Sequence, residues 1–206
     1  YATSTDFSTW FTEEIEGSGQ GAGLNPSIAV RAEGAHQIPY VSYNFAIGST
    51  YVERRDPVNG WEQQRTVSNG ASTNFGHTCL AFDSSDTEHV IYQDTMGSLI
   101  YATWNGSWWE SETLDSSASA GITNDLAIGP GDSLHVSATV YHDSPSSKTL
   151  KYFWNEGSGW QSTTMFALAG TGGSFDSIAV DTSGKAHISF CDLENGNLMY
   201  ARDMTE

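Results

Sequence analysis

Basic residues are scarce in this chain. Its 206 residues hold 8 lysines and arginines against 25 aspartates and glutamates, a formal net charge of −17. The eight are Arg31, Arg54, Arg55, Arg65, Arg202, Lys148, Lys151 and Lys185, and they form no stripe. Nucleic acid needs clustered cations to neutralise its phosphates, so this composition argues against it as a partner. It argues against an anionic membrane surface for the same reason. Long apolar runs are also missing, so no segment reads as a membrane-spanning helix. No stretch keeps apolar residues at helical spacing for three turns, and no helix is expected. Nucleophile elbow, phosphate loop and zinc-helix motifs are all lacking, and no catalytic residue or organic cofactor is assigned. Cysteine is limited to Cys79 and Cys191. Two buried free thiols are the favoured reading; a disulfide remains open, and the separation does not suggest zinc.

What the chain does have is aromatics (12%), 21 glycines and few charges (16%), the profile of an all-β protein with many tight turns. The length suits one domain, or at most two. The acidity has two readings: solubility in a salty or extracellular medium, or carboxylates gathered around a cation such as Ca²⁺. Asn105-Gly106-Ser107 is a glycosylation sequon.

A repeat is the most informative feature. Ile28-Ala29-Val30 recurs as Leu80-Ala81-Phe82, Leu126-Ala127-Ile128 and Ile178-Ala179-Val180, at intervals of 52, 46 and 52 residues. Such a period signals one supersecondary unit, stacked or set in a ring. Each unit reads as four strands. In the last, Ser177–Asp181 is the inner strand, His187–Phe190 alternates with period two, and Leu198–Ala201 follows an Asn195-Gly196 turn. The outer strand opens with tryptophan: Trp61, Trp109 and Trp160. Trp10 to Ile15 has the same shape, with its apolar residue five places after the tryptophan, as in Trp109 to Leu114.

These observations predict a four-bladed β-propeller of four-stranded antiparallel blades, a single domain over 1–206. The blades fall at about 24–68, 75–115, 122–168 and 174–206 plus 8–16. The N-terminal outer strand completes the last blade and closes the ring, which removes an open sheet edge. The alternative is half of an eight-bladed dimeric propeller, each N-terminal strand completing the partner's last blade. The sequence from Ser177 to Phe190, followed by Asn195 to Ala201, resembles propeller repeats of bacterial and archaeal extracellular proteins. The Trp-led strands and Asn-Gly turns more distantly resemble propeller lectins. That likeness implies a secreted binding protein and transfers no sugar-binding set.

In this architecture one face gathers Asn44, Asp94, His142, Asp143 and Asp192 from the second-to-third loops. His77, Asp125 and Asp176 join them from the starts of the inner strands. Such groups could hold a hard cation or sugar hydroxyls, or simply cap their own turns. His89, His135 and His187 share one repeat column, which reads better as turn bonding than as a metal site. Trp104, Trp108 and Trp154 are surplus to the blade-packing tryptophans and offer flat faces for pyranose rings. The candidate ligand-binding residues are thus Trp104, Trp108, Trp154, Asn44, Asp94, Asp143 and Asp192.

The function expected is a non-catalytic extracellular binding module for neutral carbohydrate or a protein partner, as a monomer or homodimer. One alternative is a structural subunit of a surface polymer. The other is a glycoside hydrolase or lyase, which would need two carboxylates flanking a bond.

Overall fold

A computed structural model describes residues 2–3, 8–16, 23–45, 48–61, 65–68, 76–117, 119–142, 147–169 and 175–204. Among these residues there is no α-helix; a 3₁₀ turn at Pro130–Asp132 interrupts an all-β chain. Strands β1 (Ala2–Thr3) and β2 (Phe11–Thr12) pair with each other. Blade one is β3 (Leu24–Glu33), β4 (His36–Phe45) and β5 (Ser49–Asp56), with a broken outer strand, β6 (Gly60–Trp61) and β7 (Arg65–Ser68). Blade two is β8 (Cys79–Phe82), β9 (Glu88–Gln93), β10 (Leu99–Trp104) and β11 (Trp109–Asp115). Blade three is β12 (Ala120–Ile128), β13 (Leu134–Tyr141), β14 (Ser147–Asn155) and β15 (Gln161–Ala169). Blade four is β16 (Asp176–Val180), β17 (Ala186–Asp192) and β18 (Asn197–Arg202). Every pairing among the described residues is antiparallel, and the four sheets are the blades of a β-propeller.

Period-two alternation gives each blade two faces, and consecutive blades bury those faces against each other. Tyr40 and Val52 of blade one meet Leu80, Val90 and Ile100 of blade two. Ile91, Leu99 and Tyr101 of blade two meet Leu134, Val136 and Phe153 of blade three. Leu150 of blade three meets Ile178, Ile188 and Phe190 of blade four. Polar clamps tie the inner strands together. Leu80 N donates to Ser27 Oγ at 3.2 Å, and Ile178 N donates to Asp125 Oδ2 at 2.9 Å. Cys79 and Cys191 are free thiols. Cys79 donates to the Asn124 carbonyl at 3.2 Å, and burial pushes its pKa well up, so it stays a thiol.

The expected ring closure is not made. The Trp10 segment does not pair beside Leu198–Ala201: its strand β2 pairs with β1, and among the described residues blade four has three strands. Two interactions hold the segment on blade one instead. Glu13 takes a two-point ion pair from Arg55, at 2.6 and 2.8 Å. Ile15 drops onto the cluster of Val41, Tyr43 and Phe45. The charge pair and the apolar contact both dock this short segment on blade one.

Candidate functional site

The histidine column builds the same motif in three blades. His89 Nδ1 meets the Tyr101 hydroxyl at 2.7 Å, His135 meets Tyr152 at 2.6 Å and His187 meets Tyr200 at 2.7 Å. The other ring nitrogen reaches back to the preceding turn: Asp83 Oδ2 at 3.3 Å, Ser133 Oγ at 2.8 Å and Asp181 Oδ2 at 3.1 Å. A carboxylate can only accept, so Nε2 carries the hydrogen in blades two and four and the tyrosine donates to Nδ1. In blade three Ser133 donates to the Pro130 carbonyl and therefore accepts from His135, which fixes the same tautomer. The column bonds neighbouring turns, as its spacing suggested. In blade one, Tyr40 holds the column position and donates to Glu33 at 2.7 Å.

Between blades three and four, His135 and Tyr152 border an open cleft of about 530 Å³. Its floor is apolar: Tyr152, Met165, Ala186 and Ile188. Its rim is polar: Trp154, Glu156, Arg202 and Asp203. Trp154 stacks on Tyr152 at 5.1 Å and 13°, and Tyr152 stacks on His135 at 6.0 Å and 19°, giving a three-ring ladder. Burial, with the Asp203 and Glu156 charges beside it, pushes the Tyr152 phenol up to about 12. Burial also pulls His135 below its ordinary value, so it is neutral near pH 7. With both nitrogens engaged, His135 is not a free base. The cleft offers a flat aromatic face, acceptor carboxylates and a guanidinium, a set suited to binding a hydroxylated ring.

The corresponding junctions are filled. Between blades two and three, Trp160 packs on the cluster of Tyr101, Leu134 and Val136, edge-on to Tyr101 at 5.0 Å. Register makes Tyr152, Ala186 and Ile188 the counterparts of those three residues. Between blades one and two, Trp109 packs on the Tyr40 and Val90 cluster, and Arg65 bonds Glu88 at 2.6 and 3.0 Å.

The candidates named from sequence scatter. Trp154 lines the cleft. Trp104 packs against Trp109 at 5.4 Å with the Arg65 guanidinium 5.0 Å above it. Trp108 is exposed on a turn capped by Asn105. Asn44 is buried, donating to the Gly76 carbonyl at 2.8 Å and accepting from Thr50. Asp94 accepts from Met96 N and Ser98 N, and Asp192 from Asn195, so both cap their own turns. Asp143 lies outside the described residues. No group of three His, Cys, Asp or Glu among the described residues is arranged to hold a metal. Sequence reasoning missed Tyr152, Glu156 and Arg202. A signal for the first existed, since Tyr101 and Tyr200 precede alanine at matching repeat positions.

No family model matches the chain, and no curated protein does. Solved structures do. AofleA from Arthrobotrys oligospora, as a triple mutant, superposes with a TM-score of 0.64 at 11% identity, over 86% of this chain and 52% of that one. The Aleuria aurantia lectin, in complex with α-methyl-L-fucoside, gives 0.61 at 13% identity over 88% and 60%. The SapL1 lectin, in complex with α-methyl fucoside, gives 0.64 at 15% identity over 97% and 67%. These likenesses establish the propeller fold; the chain spans about half to two thirds of those lectins' length. Fold alone does not assign a ligand.

Proposed function

We propose that the protein is a non-catalytic carbohydrate-binding module whose ligand sits on the rim of the blade three–four cleft. The observation that carries this is the Trp154–Tyr152 stack flanked by Glu156, Arg202 and Asp203. One face of the Trp154 ring lies on Tyr152, and the other is the platform for the C–H face of a pyranose. Glu156 and Asp203 accept from sugar hydroxyls, and Arg202 donates to a hydroxyl or ring oxygen. The similar propellers that bind fucosides support the ligand class. An extracellular setting suits the acidic surface. The test is a glycan array followed by isothermal titration, with α-methyl-L-fucoside as the first probe. At least one neutral sugar should bind. Trp154→Ala should weaken it about tenfold or more, roughly the loss of 1.4 kcal/mol, while Trp108→Ala leaves it unchanged. Absence of binding across the array would overturn the reading.

A further inference from the structure

We propose that the floor of the same cleft is the seat for Trp10 of a second copy of this chain. That copy's N-terminal segment becomes the outer strand of blade four, and its blade one covers blade four's bare face. The repeat columns carry the argument. Leu99 and Leu150 are 0% exposed because the next blade covers them, whereas their counterpart Leu198 is 84% exposed. Tyr101 is buried, whereas Tyr200 is 62% exposed. At the other end of the array, Leu80 and Ile178 are buried, whereas their counterpart Ile28 is 55% exposed. Junction-making positions are therefore bare at both ends, Leu198 and Tyr200 at one and Ile28 at the other, on the two complementary faces of one junction type. An apolar face with this composition continues an interface the chain already builds three times.

The N-terminal segment already has the placement of an outer strand from a preceding blade. Leu114, five residues after Trp109, packs on the junction of blades two and three; Met165, five after Trp160, packs on that of three and four. Ile15, five after Trp10, packs on blade one in the same way. Trp10 is 60% exposed, whereas Trp160 sits on Tyr101. The seat equivalent to that of Trp160 is the cleft floor, where the partly exposed Tyr152 and Met165 border the buried Ala186 and Ile188. The contact is head-to-tail: the tail face of one copy takes the head face of the next. It does not rest on the sugar reading, which uses the rim.

The test uses the whole chain in sugar-free buffer, by sedimentation equilibrium over a wide concentration range. The wild type should associate to at least twice the mass of one chain. Leu198→Glu and Ile28→Glu should each be monomeric with an unchanged circular dichroism spectrum, since both residues are exposed in the single chain. An equimolar mixture of the two should form a 1:1 complex, because each variant retains the face the other lacks. Trp10→Ala should weaken self-association about tenfold or more. A wild type that stays monomeric at every concentration would overturn the proposal. So would an assembly that Leu198→Glu leaves intact, or a mixture that remains monomeric.

Discussion

Tyr152 donates its hydroxyl hydrogen to His135 Nδ1 at 2.6 Å, the first link of a chain that runs through Ser133 Oγ to the Pro130 carbonyl. The same bond recurs at Tyr101–His89 in a buried setting and at Tyr200–His187 in an exposed one. Water can replace the lost donor only where it has access. Tyr101→Phe should therefore destabilise the protein by about 1–2 kcal/mol, Tyr152→Phe by somewhat less, and Tyr200→Phe by close to nothing. Urea unfolding at constant m-value reads the three differences.

The two more buried histidines set one limb of the pH dependence. Burial lowers the folded-state pKa of His89 and of His135 below 6.5. The unfolded chain then binds protons that the folded chain refuses, so their contribution is fully present above about pH 6.5 and is lost as the pH falls through the lowered values. Thermal melts from pH 7.5 to 5 should show Tm declining below about 6.5. His89→Gln, which keeps one donor and one acceptor, should flatten part of that decline.

Much of the fold was legible because it depends on columns. The Ile-Ala-Val phrase, the histidine-led strands and the tryptophan-led outer strands mark strand positions by type and spacing, and side-chain alternation carries them to the right faces. The site was far less legible. Asn44, Asp94 and Asp192 resemble ligand groups in sequence, yet turn capping uses the same residue types. Trp104 and Trp154 look alike as surplus aromatics, and only the fold shows that Arg65 and Trp109 cover one while a cleft borders the other. Among the described residues no outer-strand tryptophan packs at this junction as Trp109 and Trp160 do at the other two, a relation between blades that no local pattern encodes. The strand shape of the N-terminal segment is visible in the sequence, whereas its Glu13–Arg55 pair is a contact between residues 42 apart.

At the first junction Arg65 does two things at once. It pairs with Glu88, which is nearly fully buried, at 2.6 and 3.0 Å, and its guanidinium lies over Trp104 and Trp109 at 5.0 and 5.7 Å. Arg65→Met leaves the Glu88 carboxylate with Arg31 3.9 Å away as its remaining cation. The expected loss is about 2–3 kcal/mol, below the roughly 3–5 kcal/mol of a fully buried pair because Arg65 is partly exposed. Arg65→Lys keeps the charge but not the planar stack, so it should recover only part of that. Chemical denaturation of the two variants measures the split.

The other limb of the pH dependence belongs to Asp176, at the start of blade four's inner strand. Burial, reinforced by the Asp125 charge, pushes its carboxyl up from 3.8 to about 6, although Ser137 donates to it at 2.5 Å. A carboxyl whose folded-state pKa is raised stabilises the fold when protonated. That contribution is present in full below about 3.8 and is lost as the pH rises through about 6. The sign is opposite to that of the histidines. A rise of this size corresponds to about 2–3 kcal/mol of strain from the charged carboxylate at neutral pH. Asp176→Asn keeps an acceptor for Ser137 and removes the charge, so it should stabilise the protein at pH 7 by about 1–2 kcal/mol, after allowance for partial relaxation. The same substitution should do nothing below about pH 4, where the native carboxyl is already neutral. Urea midpoints at pH 7 and pH 4 give the comparison, and a gain at both pH values would mean that packing, not charge, is responsible.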